Sequence, residues 1–227
     1  MNAHDFWLKI LKDCYEFDFP NKRKIKVVTF PTDRGLHLQY HDMVNDLTRI
    51  GGRDFSHADR IMDVGACVGM WAMWTACLYP DTLIYAYEPM PHNFDNLCEN
   101  IKLNGFENIL PVNHAISSDG SSLTLYQHPL NAGSGSISLC NDKRFEPYLP
   151  VYECQSKTMK QAMDYFGMDD VSFVKMDIEG SEYSVLDSLD APTWNRIKFM
   201  SLELHGNDDQ RLGGISQWGK NEKIIIV

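Results

Sequence analysis

From residue 60 onward, apolar and polar positions alternate in blocks that read as strand, helix, strand, helix. "RIMDV" (60–64) and "TLIYAYE" (82–88) are short apolar strands. Between them "MWAMWTACLY" (70–79) is apolar almost all round, as suits a helix packed against a sheet, and Pro80-Asp81 ends it. "PHNFDNLCENIKLNG" (91–105) opens with proline in its first turn and closes at Gly105. Its Phe94, Leu97, Cys98 and Ile101 recur at i, i+3, i+4 and i+7, one helical face. "NILPVNHAI" (108–116) reads as a third strand. A polar insertion follows, in which "SSLTLYQ" (121–127) and "PVYECQ" (150–155) are strands flanking "NAGSGSISL" (131–139), read as a flexible loop. "TMKQAMDYFG" (158–167) places Met159, Ala162, Met163 and Phe166 at helical spacing, with Thr158 as its cap. "VSFVKMD" (171–177), "SEYSVLDSL" (181–189) and "IKFMSLELH" (197–205) give strand, helix and strand again.

The first 55 residues follow another rhythm. Residues 4–16 read as a short amphipathic helix, and 24–40 as a hairpin around the turn signal "PTDRG". The chain therefore divides into a helix-and-hairpin appendage (1–55) and a main domain (56–227), with an insertion at 116–155. Alternating βα units predict an α/β fold: a doubly wound, mostly parallel, Rossmann-like sheet with helices on both faces. Such sheets bind ligands outside the carboxyl ends of their strands, near the switch point. The residues ending the strands are Asp63, Glu88, His114, Asp177, Glu203 and His205, most of them ionisable.

Between the first strand and its helix the chain reads Asp63-Val64-Gly65-Ala66-Cys67-Val68-Gly69. A dinucleotide fingerprint would place a glycine between Gly65 and Gly69 and present the helix N-terminus to a pyrophosphate. Here that glycine is missing, and Asp63 would repel a pyrophosphate while favouring an ammonium group. The loop thus suits a ligand with an amino-acid moiety better than NAD. Glu88 ends the next strand, where an acidic residue accepts hydrogen bonds from ribose hydroxyls. Together these features fit S-adenosyl-L-methionine, its ribose at Glu88 and its methionine end near the loop and Asp63.

Three blocks in order, "DVGACVG", "YEPMPHNFDNLCENIKLNG" and "FVKMDIEGSEYSVL", resemble the FkbM-type methyltransferases of the class I S-adenosylmethionine-dependent fold. The resemblance covers about 55–206. It implies methyl transfer to an oxygen of a small acceptor such as a sugar or secondary metabolite. It matches Asp63, Gly65, Ala66 and Gly69 to the cofactor loop and Glu88 to the ribose ligand. It also matches Asn93 and Asn104 to asparagines around the second helix, and Asp177, Glu179 and Glu182 to the third block. Cys67 stands where the family commonly has asparagine. After the fifth strand only 206–227 remain, too little for the usual antiparallel sixth and seventh strands, though "KIIIV" can supply one.

For the chemistry, the acceptor must be aligned with the methyl donor and must lose its proton. Alignment is worth roughly 7–11 kcal/mol at best, and a positioned base roughly 10²–10⁴-fold. His205 or Asp177 is the expected base. Asp177 also lies near the methyl donor, and His114 near the adenine. Glu203 and Asp177 permit, without requiring, a divalent cation that would acidify the hydroxyl.

Composition narrows the partners. Of 227 residues, 44% are hydrophobic and 23% charged, as suits one compact domain. The net charge of −10, from 21 basic against 31 acidic residues, argues against nucleic acid and anionic membranes as partners. The six cysteines include no CxxC pair, so no zinc or thioredoxin signature is present. "MNAHDFWLKI" lacks a basic stretch before a long apolar run, so no signal peptide and a cytoplasmic location are expected. The rival readings are a catalytically silent S-adenosylmethionine-binding module and an NAD-dependent oxidoreductase.

Overall fold

The computed structural model describes residues 13–29, 59–128, 131–136, 149–204 and 223–226. Six parallel strands form the central sheet: β3 (Arg60–Val64), β4 (Leu83–Tyr87), β5 (Ile109–Val112), β11 (Phe173–Met176), β12 (Met200–Leu202) and β13 (Ile224–Ile226). Their spatial order is β13-β12-β11-β3-β4-β5, and every neighbouring pair runs parallel. The chain moves outward from β3 to β5, then returns to the other side of β3. The switch point therefore lies between β3 and β11, in register Asp63 against Lys175. "KIIIV" does supply a sixth strand, but parallel to β12 rather than antiparallel.

Two apolar layers cover the sheet. On one face lie α1 (Met70–Leu78) and α2 (Pro91–Leu103), packed with Ile61, Ile84, Ala86 and Phe173. Seven of the nine residues of α1 are buried, which accounts for its lack of a polar side. Trp71 stacks on Phe173 with ring centroids 5.9 Å apart. On the other face, α3 (Met159–Tyr165), α4 (Glu182–Asp187) and α5 (Ala191–Asn195) enclose a methionine-rich layer with Met62, Val64, Val174 and Met200. Thr158 caps α3 in a full capping box with Gln161. The doubly wound architecture is as expected.

The N-terminal elements differ from expectation. β1 (Asp13–Phe19) and β2 (Arg23–Thr29) form an antiparallel hairpin through the turn Pro20–Lys22. Residues 13–16 are thus strand, not the end of a helix, and the hairpin lies upstream of 30–40. The physical reason is an alternation that helical phase hides: Phe17 and Phe19 are buried, while Glu16 and Asp18 are exposed. Residues 4–12 and 30–40, the rest of those two expectations, lie outside the described residues. The hairpin shares the core of α1 and α2, and Phe19 meets Trp74 with ring centroids 5.0 Å apart. Asn100 of α2 reads the backbone of β2 as a strand would: its Oδ1 accepts from Val28 N–H at 2.7 Å and its Nδ2 donates to Val28 O at 3.1 Å. Asn104 does the same to Lys26, at 2.9 Å and 2.7 Å.

The insertion forms a three-stranded antiparallel sheet of order β8-β7-β9, from β7 (Leu123–His128), β8 (Asn131–Ser136) and β9 (Leu149–Cys154). β8 replaces the expected loop over 131–136, because its backbone finds partners along the edge of β7. The third expected strand is split. β5 ends at Val112, and β6 (Ala115–Ile116) pairs instead with β10 (Ser156–Lys157).

Candidate active site

The site forms where β3 and β11 lie side by side at their carboxyl ends. Gly65 and Ala66 turn the chain out of β3, both donating their N–H to Tyr87 O, at 3.0 and 2.9 Å. Gly65 has φ 84° and Gly69 has φ 90°, backbone that side chains rarely adopt. Gly65 is also too tightly packed for any other residue: an added Cβ would lie 1.8 Å from Asp177 O. Cys67, between them, adopts φ 49° without being glycine.

A buried carboxylate holds that loop. Glu88, just past β4, accepts from Cys67 N–H on Oε2 and from Met90 N–H on Oε1, both at 2.9 Å. The Asn93 side chain bonds the same carboxylate. A carboxylate offers about four lone-pair directions, so acceptor capacity remains for a hydroxyl. Glu88 is only 5% exposed. Burial pushes its carboxyl up to about 7, against the opposing pull of the Met90, Cys67 and Asn93 hydrogen bonds. Asn113 donates to Glu88 O at 2.8 Å and so fixes the end of β4.

On the opposite side of the loop stands a cation that the sequence pattern alone does not assign to the site. Lys175, inside β11, donates to Gly65 O at 3.1 Å and to Asp177 Oδ2 at 3.2 Å. Its Nζ lies 3.6 Å from Asp63 Oδ1. Burial would lower the Lys175 pKa, but Asp177 and Asp63 more than reverse that and keep it charged. Asp63 has no solvent exposure, and its carboxylate is met by the Lys175 ammonium and the backbone of Ala72. Burial raises its carboxyl to about 6; Lys175 opposes the rise and Asp177 adds to it. The cation that Asp63 faces is therefore Lys175. The signal in the sequence is the lysine near the start of the third matched block, inside the apolar strand "VSFVKMD".

Asp177 follows β11, donates its N–H to Val64 O at 3.0 Å, and has a side chain 28% exposed. The turn after it places Glu179 at φ 56° and Gly180 at φ 103°. Glu182, fully buried, clamps this turn by accepting from Ile178 N–H at 3.0 Å and from Gly180 N–H on both oxygens, at 3.1 and 3.0 Å. Glu203 follows β12 and adds to the field that keeps Lys175 protonated.

The structure thus brings together Asp63, Gly65, Ala66, Gly69, Glu88, Asn93, Asp177 and Glu203. His114 follows β5, one strand further out, half-buried; burial and Lys157 lower its pKa. His205 lies outside the described residues. Among the described residues no group of three His, Cys, Asp or Glu side chains could hold a metal ion. Beside Asp177, the place of a cation is taken by the Lys175 ammonium. No described helix is long and apolar enough to cross a membrane.

A glycine turn, a carboxylate on the adjoining strand end and a second, partly exposed carboxylate across the switch point can hold a ribosyl ligand with a cationic tail. Residues 63–220 match the family model of the methyltransferase FkbM domain. "Methyltransferase 1" of Beauveria bassiana is 25% identical over 158 residues, spanning 63% of this chain and 64% of that protein. "Methyltransferase sdnD" of Sordaria araneosa is 24% identical over 169 residues, spanning 63% of this chain and 65% of that protein. The chain therefore spans just under two-thirds of these curated relatives. Among solved structures, the N-terminal domain of human METTL16 in complex with SAH is similar at TM-score 0.44 and 14% identity, covering 81% of this chain and 61% of that one.

Proposed function

The chain belongs to the methyltransferase FkbM domain family, and we propose that it transfers the methyl group of S-adenosylmethionine to a hydroxyl of a small molecule. The observation that carries this reading is Glu88. Its two oxygens are anchored by the Cys67 and Met90 amides beside a turn that only glycine can make, with acceptor capacity left for a ribose hydroxyl. When bound, S-adenosylmethionine supplies an electrophilic methyl on a sulfonium. The residues fit it: Asp63, Asp177 and Glu203 outnumber the one buried ammonium, and the surplus negative charge suits a cationic ligand.

In this reading Gly65, Ala66 and Gly69 let the backbone approach the ligand, Asn93 orients Glu88, and His114 borders the adenine. Asp177 stands at the strand end nearest the glycine loop and takes the proton of the attacking hydroxyl. His205 is the other candidate for that base, and Glu203 lies on the same side. The three-stranded sheet β7–β9 and the N-terminal hairpin border the domain and shape the choice of acceptor. The acceptor is a hydroxylated small molecule, not a nucleic acid, in keeping with the net charge of −10.

The test is incubation with S-adenosylmethionine labelled in its methyl group and a panel of sugars and hydroxylated metabolites. Label appearing on an acceptor oxygen, abolished by Asp177→Asn, supports the reading. Label on nitrogen or on nucleic acid would contradict the acceptor assignment.

A further inference from the structure

We propose that Lys175 is a positioning residue of this site: its ammonium ties the carbonyl of the glycine loop to the carboxylate on β11 while neutralising Asp63. The proposal rests on the cofactor reading above. Three observations support it. The ammonium bonds Gly65 O at 3.1 Å and Asp177 Oδ2 at 3.2 Å, so one group spans both sides of the switch point. Asp63, directly across the strand pair, is fully buried, and Asp177 adds to the negative charge around it. Lys175 Nζ at 3.6 Å from Asp63 Oδ1 is the nearby countercharge that makes this burial tolerable. Finally, Gly65 and Asp177 are in contact through backbone as well, since a Cβ on Gly65 would strike Asp177 O at 1.8 Å. The loop that approaches the ligand and the carboxylate that faces the acceptor thus share one anchor.

The consequence is a division of labour. Lys175 is only 16% exposed and its donors point at protein acceptors, so it does not reach the substrate. It sets where Asp177 stands relative to the loop. A lysine that merely balanced charge would be dispensable once Asp63 was neutral. A lysine that positions would not.

Two variants separate these roles. Lys175→Met keeps the stem and removes the ammonium; Asp63→Asn with Lys175→Met also removes the stranded charge. Thermal melting and calorimetric titration with S-adenosylhomocysteine are read for wild type and both variants. The expected result is a lower melting temperature and about tenfold or greater loss of affinity in Lys175→Met. In the double variant the melting temperature recovers in part, since the bonds to Gly65 O and Asp177 are still missing, and the affinity does not. Recovery of both would reduce Lys175 to charge balance and overturn the proposal, as would wild-type affinity in Lys175→Met. Failure of the double variant to regain melting temperature would overturn the pairing with Asp63.

Should neither variant fold, the side-chain ammonium resonance of Lys175 in the wild type decides. A slowly exchanging signal that shifts on adding S-adenosylhomocysteine is expected. A rapidly exchanging signal, or one unmoved by the ligand, overturns the proposal. Wild type that binds no S-adenosylhomocysteine, yet shows the protected ammonium, would instead sink the cofactor reading, and the positioning role with it.

Discussion

The turns that follow β3 and β11 are built alike and anchored differently. Each contains a non-glycine residue in left-handed backbone, Cys67 at φ 49° and Glu179 at φ 56°. Each is clamped by a buried glutamate that accepts backbone amides, Glu88 for the first and Glu182 for the second. Glu182 belongs to the helix that follows its turn, so its clamp is local: it accepts from Ile178 and Gly180. Glu88 comes from the neighbouring strand, across a gap in sequence from Cys67, and keeps a sliver of exposure. Burial holds the Glu88 carboxyl at about 7, so that it is partly protonated at neutral pH. Its ionised form keeps acceptor capacity that a ligand hydroxyl can join. In the proposed reading the first turn is the side that binds and the second, with Asp177 at its base, is the side that is held rigid.

The comparison breaks most completely at the shared backbone contact. Gly65→Ala would place a methyl 1.8 Å from Asp177 O in left-handed backbone. The expected outcome is loss of the folded domain or of detectable cofactor binding, read by circular dichroism and calorimetry. Glu182→Ala comes next. It strands the amides of Ile178 and Gly180, and each buried unsatisfied donor costs about 1–3 kcal/mol. Urea unfolding should show a loss of about 2–4 kcal/mol.

Glu88→Gln sharpens the contrast through pH. Its carboxyl lies at about 7 in the folded state, against an ordinary value near 4.5. The folded protein therefore holds a proton that the unfolded chain has released. The associated stability is fully present below about 4.5 and is lost as pH rises through about 7. Asp63, raised to about 6, acts in the same direction, and His114, lowered, in the opposite one. Melting temperatures of the ligand-free protein should fall between pH 5 and pH 8, and Glu88→Gln should flatten that fall. Each tenfold change in a protonation equilibrium is worth about 1.4 kcal/mol, which bounds the Glu88 contribution at about 3.5 kcal/mol. An unchanged slope would remove the case for a protonatable clamp. Glu179→Gly is the smallest change. Relief of left-handed strain, about 1–2 kcal/mol, outweighs the added chain entropy of about 0.5–1 kcal/mol, for a net gain below about 1 kcal/mol in the same urea assay.

Much of this is legible in the chain. The βα rhythm, the glycine loop, Glu88 and the carboxylates after β11 and β12 all show in sequence, because buried strands demand apolar runs and make ionisable ends conspicuous. Lys175 lies near the start of the third matched block, but its role does not show, because a lysine in a strand does not reveal which acidic residue lies across the sheet; that is set by the register Asp63 against Lys175. The amide pairing of Asn100 with β2 is hidden for the same reason, as it joins elements far apart in the chain. The start of β1 reads as helix because Asp13–Phe19 carries apolar residues in a phase that fits either period over so short a span. β8 escapes because glycine and serine carry no strand signal, and only an edge partner makes "NAGSGS" extend.

The most direct test is calorimetric titration of wild type and Glu88→Ala with S-adenosylmethionine, S-adenosylhomocysteine and NAD. Binding of the first two and not of NAD is expected, weakened by about tenfold or more in Glu88→Ala. Folded wild-type protein that binds neither S-adenosyl compound, or a Glu88→Ala variant that binds them undiminished, would contradict the account.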